Sequence, residues 1–341
     1  MRARWLPALG AVLTALAVWG LFTLAGAFPA GGYGLRFAGP LTASEADSLT
    51  RTAAQQGIDL ALWSEQTAEL RTELGRSATA RVVTAAGSPA LCFPAEYAAG
   101  TAPGAGQTDG CAVSTALADA LFGSRDVAGL ALDLPGGRRT ITGVLQSEQK
   151  MVLCPAASGA GATGAELGCV PAADPRGAVQ QLLQGAGVGQ GAQYLPYGTL
   201  GGVLAALGWL PVAAAGLLLA VRLWQSLPLR GGRRQAAGFV LALALALALP
   251  GLLGALPRWL IPSRWADAGF WTTLAETMGQ SLDTLLHLPD TARDARLAAA
   301  LPRAAACLAA LLAGLPPLLT AARPAREKPQ GASRGAPPAG S

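Results

Sequence analysis

Four apolar runs, nearly free of charge, alternate with polar stretches along the chain. The first covers residues 5–28, 24 positions without a charged side chain. As a helix it is long enough to cross about 30 Å of hydrocarbon. The second run covers 198–222, the third 236–256 and the fourth 304–322. The third alternates Leu and Ala as a strand would. An open strand leaves its backbone unpaired in lipid, and both residues are strong helix formers, so the run reads as a helix. The fourth is short, and Pro316-Pro317 predicts a kink in it. A cleaved signal peptide is the rival reading of residues 1–28, because Ala25-Gly26-Ala27 has the form of a cleavage site. The run exceeds the usual ~7–15-residue apolar core of such peptides, which favours an anchor.

The polar stretches carry the other periodicities. In residues 29–197, Thr42 and Glu45 form a capping box that opens a helix running to about Gln56, with Gly57 as its stop. Ile58, Leu60 and Leu62 alternate as a strand, and a second alternation lies at 81–84. Ser114 caps a helix over 115–122, whose Leu117, Leu121 and Phe122 share a face, and Gly123 ends it. A hairpin follows: Leu130, Leu132 and Leu134, a turn at Gly136-Gly137, and a return strand over 140–145. Residues 151–153 predict another strand, and Asp174-Pro175 starts a helix to Leu183. Residues 29–197 therefore form an α+β domain. In residues 257–303, Trp271, Leu274, Met278, Leu282 and Leu285 fall on one helical face. This amphipathic helix belongs on the membrane surface or against the domain. Residues 323–341 are rich in Pro, Gly and Ala with scattered basic residues and read as a disordered tail.

Charge gives the orientation. Residues 1–4, 223–235 (with Arg222) and 323–341 hold ten Arg and Lys and one acid, Glu327. The two remaining polar stretches hold 15 basic and 19 acidic residues. By the positive-inside rule both termini are cytoplasmic and the 29–197 domain lies outside. The net charge of +5 is almost all Arg, without a basic stripe interleaved with aromatics, so nucleic acid is not an expected partner. The lipid bilayer is.

Candidate chemistry is sparse. Cys92, Cys111, Cys154 and Cys169 lie in the outer segment, where an even set predicts disulfides, and their wide spacing argues against zinc. Cys92 with Cys111 and Cys154 with Cys169 is the favoured pairing, since each pair brackets a Gly-rich loop, and the crossed pairings stay open. His287 is the single histidine. It has no evident nucleophile or second ligand and suits an interfacial or capping role. Gly159, Gly161 and Gly164 match a dinucleotide-binding pattern but sit in a loop between cysteines. No Walker A sequence is present. Neither a catalytic residue, a cofactor nor a metal is expected, and the chain does not read as an enzyme.

The stretch 111–145 carries a resemblance. Leu121-Phe122-Gly123 ending a helix, then Gly129, then a hairpin closing on Gly143-Val144-Leu145, is similar to the extracytoplasmic core domain of MacB/FtsX-type ABC transporter permeases. The resemblance implies an α-helical membrane protein with four transmembrane helices and an α+β domain inserted between the first two. It implies a permease-like, non-catalytic subunit of a transporter or mechanotransmission complex, working in a homo- or hetero-oligomer with a separate cytoplasmic ABC ATPase. That partner would contact the inner loop 223–235 through Arg230, Arg233 and Arg234. The sequence departs from the family there: the family's coupling helix has the form Arg-x-x-Glu-Ile-Gly, while this loop lacks an acid and contains Pro228, Gly231 and Gly232. The family also carries an amphipathic segment ahead of its first span, where four residues precede Trp5. The alternative function is a membrane-anchored binding or assembly protein that reuses the domain without ATP.

Overall fold

The computed structural model describes residues 5–28, 32–73, 75–168, 170, 175–188, 191–226, 236, 238–239, 242–243, 268–287 and 290–321. Residues 227–235 of the inner loop, with Arg230, Arg233 and Arg234, nearly all of the third apolar run, Cys169, Asp174 and the tail lie outside them.

Helix α1 (Leu6–Gly26) leads into a ten-stranded mixed sheet. Its strands are β1 (Tyr33–Arg36), β2 (Leu60–Arg71), β3 (Ser77–Gly87), β4 (Tyr97–Gly100), β5 (Gly110–Ser114), β6 (Ala131–Leu134), β7 (Gly137–Leu145), β8 (Met151–Pro155), β9 (Gly164–Leu167) and β10 (Gln193–Pro196). They run in the order β10-β1-β9-β2-β3-β8-β5-β7-β4, with β6 bridging β7 and the far end of β2. The long β2–β3 hairpin, paired from Ala61↔Gly87 to Arg71↔Ser77, is shared by two lobes.

The first lobe is β10-β1-β9-β2. One face carries α2 (Ala43–Gln55) and α5 (Pro175–Gly185) over a cluster including Leu35, Leu49, Leu62, Val179 and Leu182. In the second lobe, the pair Arg71↔Asp133 curls β2, β3, β8, β5, β7 and β6 around a core that α4 (Thr115–Phe122) covers with Leu117 and Leu121. The opposite face of the sheet carries a third cluster with Trp63, Phe93 and Leu153, over which lie α3 (Pro89–Cys92) and the start of the last helix.

Local expectations hold where caps and turns specify them. Thr42 and Glu45 form the capping box of α2. Ser114 caps α4, and Gly123 ends it at φ 70°, a left-handed conformation glycine adopts without a Cβ clash. β6 and β7 form the expected hairpin, but Leu134 pairs with Gly137, so the two-residue turn is Pro135-Gly136 and Gly137 already belongs to β7.

Helix α6 (Tyr197–Ser226) follows β10 directly, and α7 (Ala268–Leu286) and α8 (Ala292–Ala321) come after it. Among the described residues three helical stretches are long and apolar enough to cross a membrane: Ala8–Gly26, Tyr197–Leu217 and Ala292–Pro316. Helix α1 packs against both others. Added Cβ atoms at Gly20 and Gly314 would come within 2.6 Å of Cys307 Sγ and Thr14 Oγ1, so α1 and α8 touch through small residues. The outward stripe Trp5, Leu9, Val12, Leu16 and Trp19 of α1 is exposed, as a lipid-facing surface would be. The fourth apolar run is the far part of α8, which continues as one helix through Pro316 and Pro317. The amphipathic stripe of α7 is used unevenly. Leu285 is buried against Leu195, Tyr197 and Leu297, whereas Trp271 and Leu282 are about half exposed. The C-terminal end of α7 thus packs against the domain.

Candidate functional site: a buried ionic joint between domain and spans

Beta-strand alternation builds the joint. In β1, Leu35 points into the first-lobe core and its neighbour Arg36 to the other face. In β9, Ala165 and Leu167 face that core and Glu166 the other side. Because β1 and β9 are antiparallel neighbours, Arg36 and Glu166 share one face, with Nη2 to Oε1 at 3.0 Å. From β2 come Trp63, whose ring lies 4.8 Å below the Arg36 guanidinium, and Glu65.

Two of the long apolar helices enter the same face. Tyr197, the first residue of α6, reaches Arg36 Nη2 at 3.2 Å and donates its hydroxyl to Glu166 at 3.3 Å. Gly34 makes this approach possible: a Cβ there would lie 2.2 Å from the Tyr197 hydroxyl. Gly164 does the same for Trp63, whose ring carbons lie 2.6 Å from its added Cβ. From α8, Asp294 takes two bonds from Arg36, the Nε contact at 3.0 Å. Arg293 reaches Glu166 at 3.5 Å and stacks over the Tyr197 ring at 5.5 Å.

The first turn of α8 is capped from both sides. Thr291 Oγ1 accepts from the Asp294 backbone N–H and donates to Asp294 Oδ2. Glu65 of β2 accepts from the Ala292 N–H at 2.7 Å, satisfying a donor that the helix cannot pair itself. Arg81 of β3 links Glu65 at 3.1 Å to Asp290, whose carboxylate it holds at 2.9 Å. Beneath the ions, Leu195, Tyr197, Leu285 and Leu297 form an apolar floor from β10, α6, α7 and α8.

The buried quartet at the centre of the joint is neutral in sum. Buried Arg36 and Arg293 face buried Glu166 and Asp294, all 5% exposed or less. Burial alone would lower the Arg36 pKa; the oxygens of Tyr197, Asp294 and Glu166 outweigh it and hold the guanidinium above its ordinary value. Glu65 goes the other way: burial raises it, against the pull of the Ala292 N–H and Arg81. Cys92, beside this cluster, is pushed up by burial and by Glu166. Two buried donors, Trp63 Nε1 and Arg293 Nε, have no hydrogen-bond partner. The arrangement offers no open nucleophile or base. Its chemistry is mechanical: paired charges in low dielectric fix one geometry, and a displaced partner would leave an uncompensated charge.

The cysteines require a correction. Cys92, Cys111 and Cys154 are separate thiols in the structure. Cys92 packs with Trp63 and Phe93 on one face of the sheet, while Cys111 packs with Val113 and Val152 on the other. A bond between Cys92 and Cys111 would have to pass through the sheet, so that pairing fails. Loop bracketing in sequence gives no information on which face a strand residue occupies. His287 ends α7 with Nδ1 2.9 Å from the Asp283 carbonyl and is exposed. The glycine-rich 159–164 stretch is a loop whose last residue opens β9.

The sequence did not point to the joint, because its members are scattered over β1, β2, β9, α6 and α8. One signal was present. Thr291 with Asp294 is a cap-and-acid pattern that starts a helix well before the apolar run at 304.

No family model matches the chain, and no curated protein matches it. Solved structures do. The periplasmic region of MacB from Actinobacillus actinomycetemcomitans is similar at 10% identity and TM-score 0.43, covering 51% of this chain and 92% of that one. The extracellular domain of the noncanonic ABC-type transporter YknZ from Gram-positive bacteria is similar at 11% identity and TM-score 0.39, over 48% and 99%. A domain from Porphyromonas gingivalis described as belonging to a permease protein gives 20% identity and TM-score 0.36, over 50% and 93%.

Proposed function

We propose that the chain is a membrane permease-like subunit of an ABC transporter or mechanotransmission complex of the MacB/FtsX type. It is non-catalytic and is worked by a separate cytoplasmic ATPase. Both termini are cytoplasmic, and the sheet domain stands outside between the first two of four spans. The observation that supports this reading is the ionic joint. It ties the first turns of α6 and α8 to strands β1, β2 and β9, so a shift of either helix moves the lobe as a body rather than bending a linker. The ATPase would act on residues 223–235, with Arg230, Arg233 and Arg234 as its contacts. The test is co-purification of an ATP-binding subunit with the full chain and with the triple Arg→Ala variant, the orientation of each being checked by accessibility labelling at Gly104. Loss of the subunit in a correctly oriented variant is expected. Absence of any ATP-binding subunit from the wild-type complex overturns the reading.

One observation favours a second reading, a membrane-anchored binding or assembly protein without ATP coupling. The 223–235 loop lacks an acid and carries Pro228, Gly231 and Gly232 where a coupling helix would stand. The same co-purification separates the two.

A further inference from the structure

We propose that Cys111 and Cys154 form a disulfide across β5 and β8, a buried oxidative modification site that staples the second lobe. The register carries the argument. Val113 pairs with Val152 and Ala112 with Leu153 in antiparallel order, and one further step sets Cys111 directly opposite Cys154. Period-two alternation puts both on the face of Val113 and Val152, inside one core cluster. Directly opposed residues of an antiparallel pair have Cα atoms about 4.5–5.5 Å apart, within the span a disulfide bridges. The bulge at this level lies in β7, where Thr142 is the extra residue between the pairs Cys111↔Ile141 and Ala112↔Gly143, so β5 runs on unbroken through Cys111. Cys154 lies close enough to help raise Cys111, after burial. The alternative partner Cys92 is on the opposite face of the sheet, and Cys307 is on α8.

Bond formation removes two protons and two electrons from the thiols. The acceptor is the disulfide of an oxidised thiol–disulfide oxidoreductase outside the membrane. It forms a mixed disulfide with one cysteine, is displaced by the other and leaves as a dithiol. Burial pushes Cys111 up to about 12 and Cys154 up to about 11, with Arg139 pulling both the other way. Thiolate is therefore scarce once the lobe is closed, so the exchange takes place while β5 and β8 are still open, and the finished bond is shielded from reductants until heating opens the lobe.

The inference rests on the outside placement of the domain, and the experiment separates the two. The full chain is alkylated in membranes, purified and mapped by non-reducing digestion. A second sample is purified reduced and then treated with a copper–phenanthroline oxidant in detergent. A Cys111–Cys154 peptide in the first sample is the expected result. Reductant should then lower the thermal midpoint of the wild type by about 5–10 °C and leave the Cys111→Ala/Cys154→Ala variant unmoved. Free thiols in membranes that join as Cys111–Cys154 on oxidation overturn the bond in the cell and assign the failure to the outside placement. Either cysteine joined to Cys92 or Cys169, or no such peptide in either sample, overturns the pairing itself.

Discussion

Arg36 and Asp294, 258 residues apart in sequence, meet in a two-point ion pair at 5% and 1% side-chain exposure. One belongs to the first strand after α1 and the other to the first turn of α8. The pair therefore closes the chain on itself at the base of the domain.

Asp294→Ala removes the acceptor and leaves Arg36 buried beside Glu166 alone. The expected cost is about 3–5 kcal/mol, seen as a lower thermal midpoint of the full chain in detergent. Arg36→Lys should also destabilise, since an ammonium cannot reproduce the fork that reaches Asp294, Tyr197 and the Leu35 carbonyl together. An unchanged midpoint for both variants would remove the joint from the account of how domain and spans are held.

Gly34→Ala tests the close approach of α6. The new methyl would lie 2.2 Å from the Tyr197 hydroxyl and 2.7 Å from its ring carbon. Tyr197 must shift, at about 1–3 kcal/mol. Limited proteolysis should then find faster cutting near residues 193–197 than in Gly39→Ala, where a Cβ meets nothing within 4 Å.

Glu65 sets a pH dependence. Its carboxyl is raised by burial, so the folded chain keeps this proton at a higher pH than the unfolded chain does. The stability it contributes is greatest at low pH. It declines as pH climbs from the ordinary value near 4.3 through the raised folded value, then levels off. Glu65→Gln cannot ionise and should flatten the fall in thermal midpoint over that window. Parallel slopes for the two proteins would argue against it.

The α1–α8 contact is open to cross-linking. Gly20 faces Cys307 so closely that Gly20→Cys should join it under mild oxidation. Adding Gly314→Leu, whose side chain would meet the Gly10 carbonyl at 2.8 Å, should cut the yield several-fold by prising the helices apart.

Elements whose ends are chemically marked could be read from the sequence. Thr42 and Glu45, Ser114 and Gly123, and the turn signal around Gly136 each act within a few residues, so α2, α4 and the β6–β7 hairpin follow from local rules, the turn itself falling one residue earlier than read, at Pro135-Gly136. Strands β1, β4, β5, β9 and β10 carried no such marks. Tyr33–Arg36 and Gly110–Ser114 are buried on both faces, and short buried strands lack the alternation that identifies a half-exposed one. The joint was hidden for a related reason. Arg36 and Glu166 are single charges in apolar strands, and only the β1–β9 register shows that they meet. The Cys92–Cys111 pairing failed because contiguity in sequence does not report the side of a sheet.

Helix α8 is the last described element to be synthesised, yet it supplies half of the charges at the base of a domain whose other parts are made long before. Until residues 290–294 emerge, Arg36 lacks Asp294, and Glu65 lacks both the Ala292 N–H and Arg81's link to Asp290. The sheet can form earlier, but this face of it stays electrically open. Completion of the joint thus waits on the docking of α8. A chain whose last helix fails to dock is left recognisable by a loose, proteolysable base.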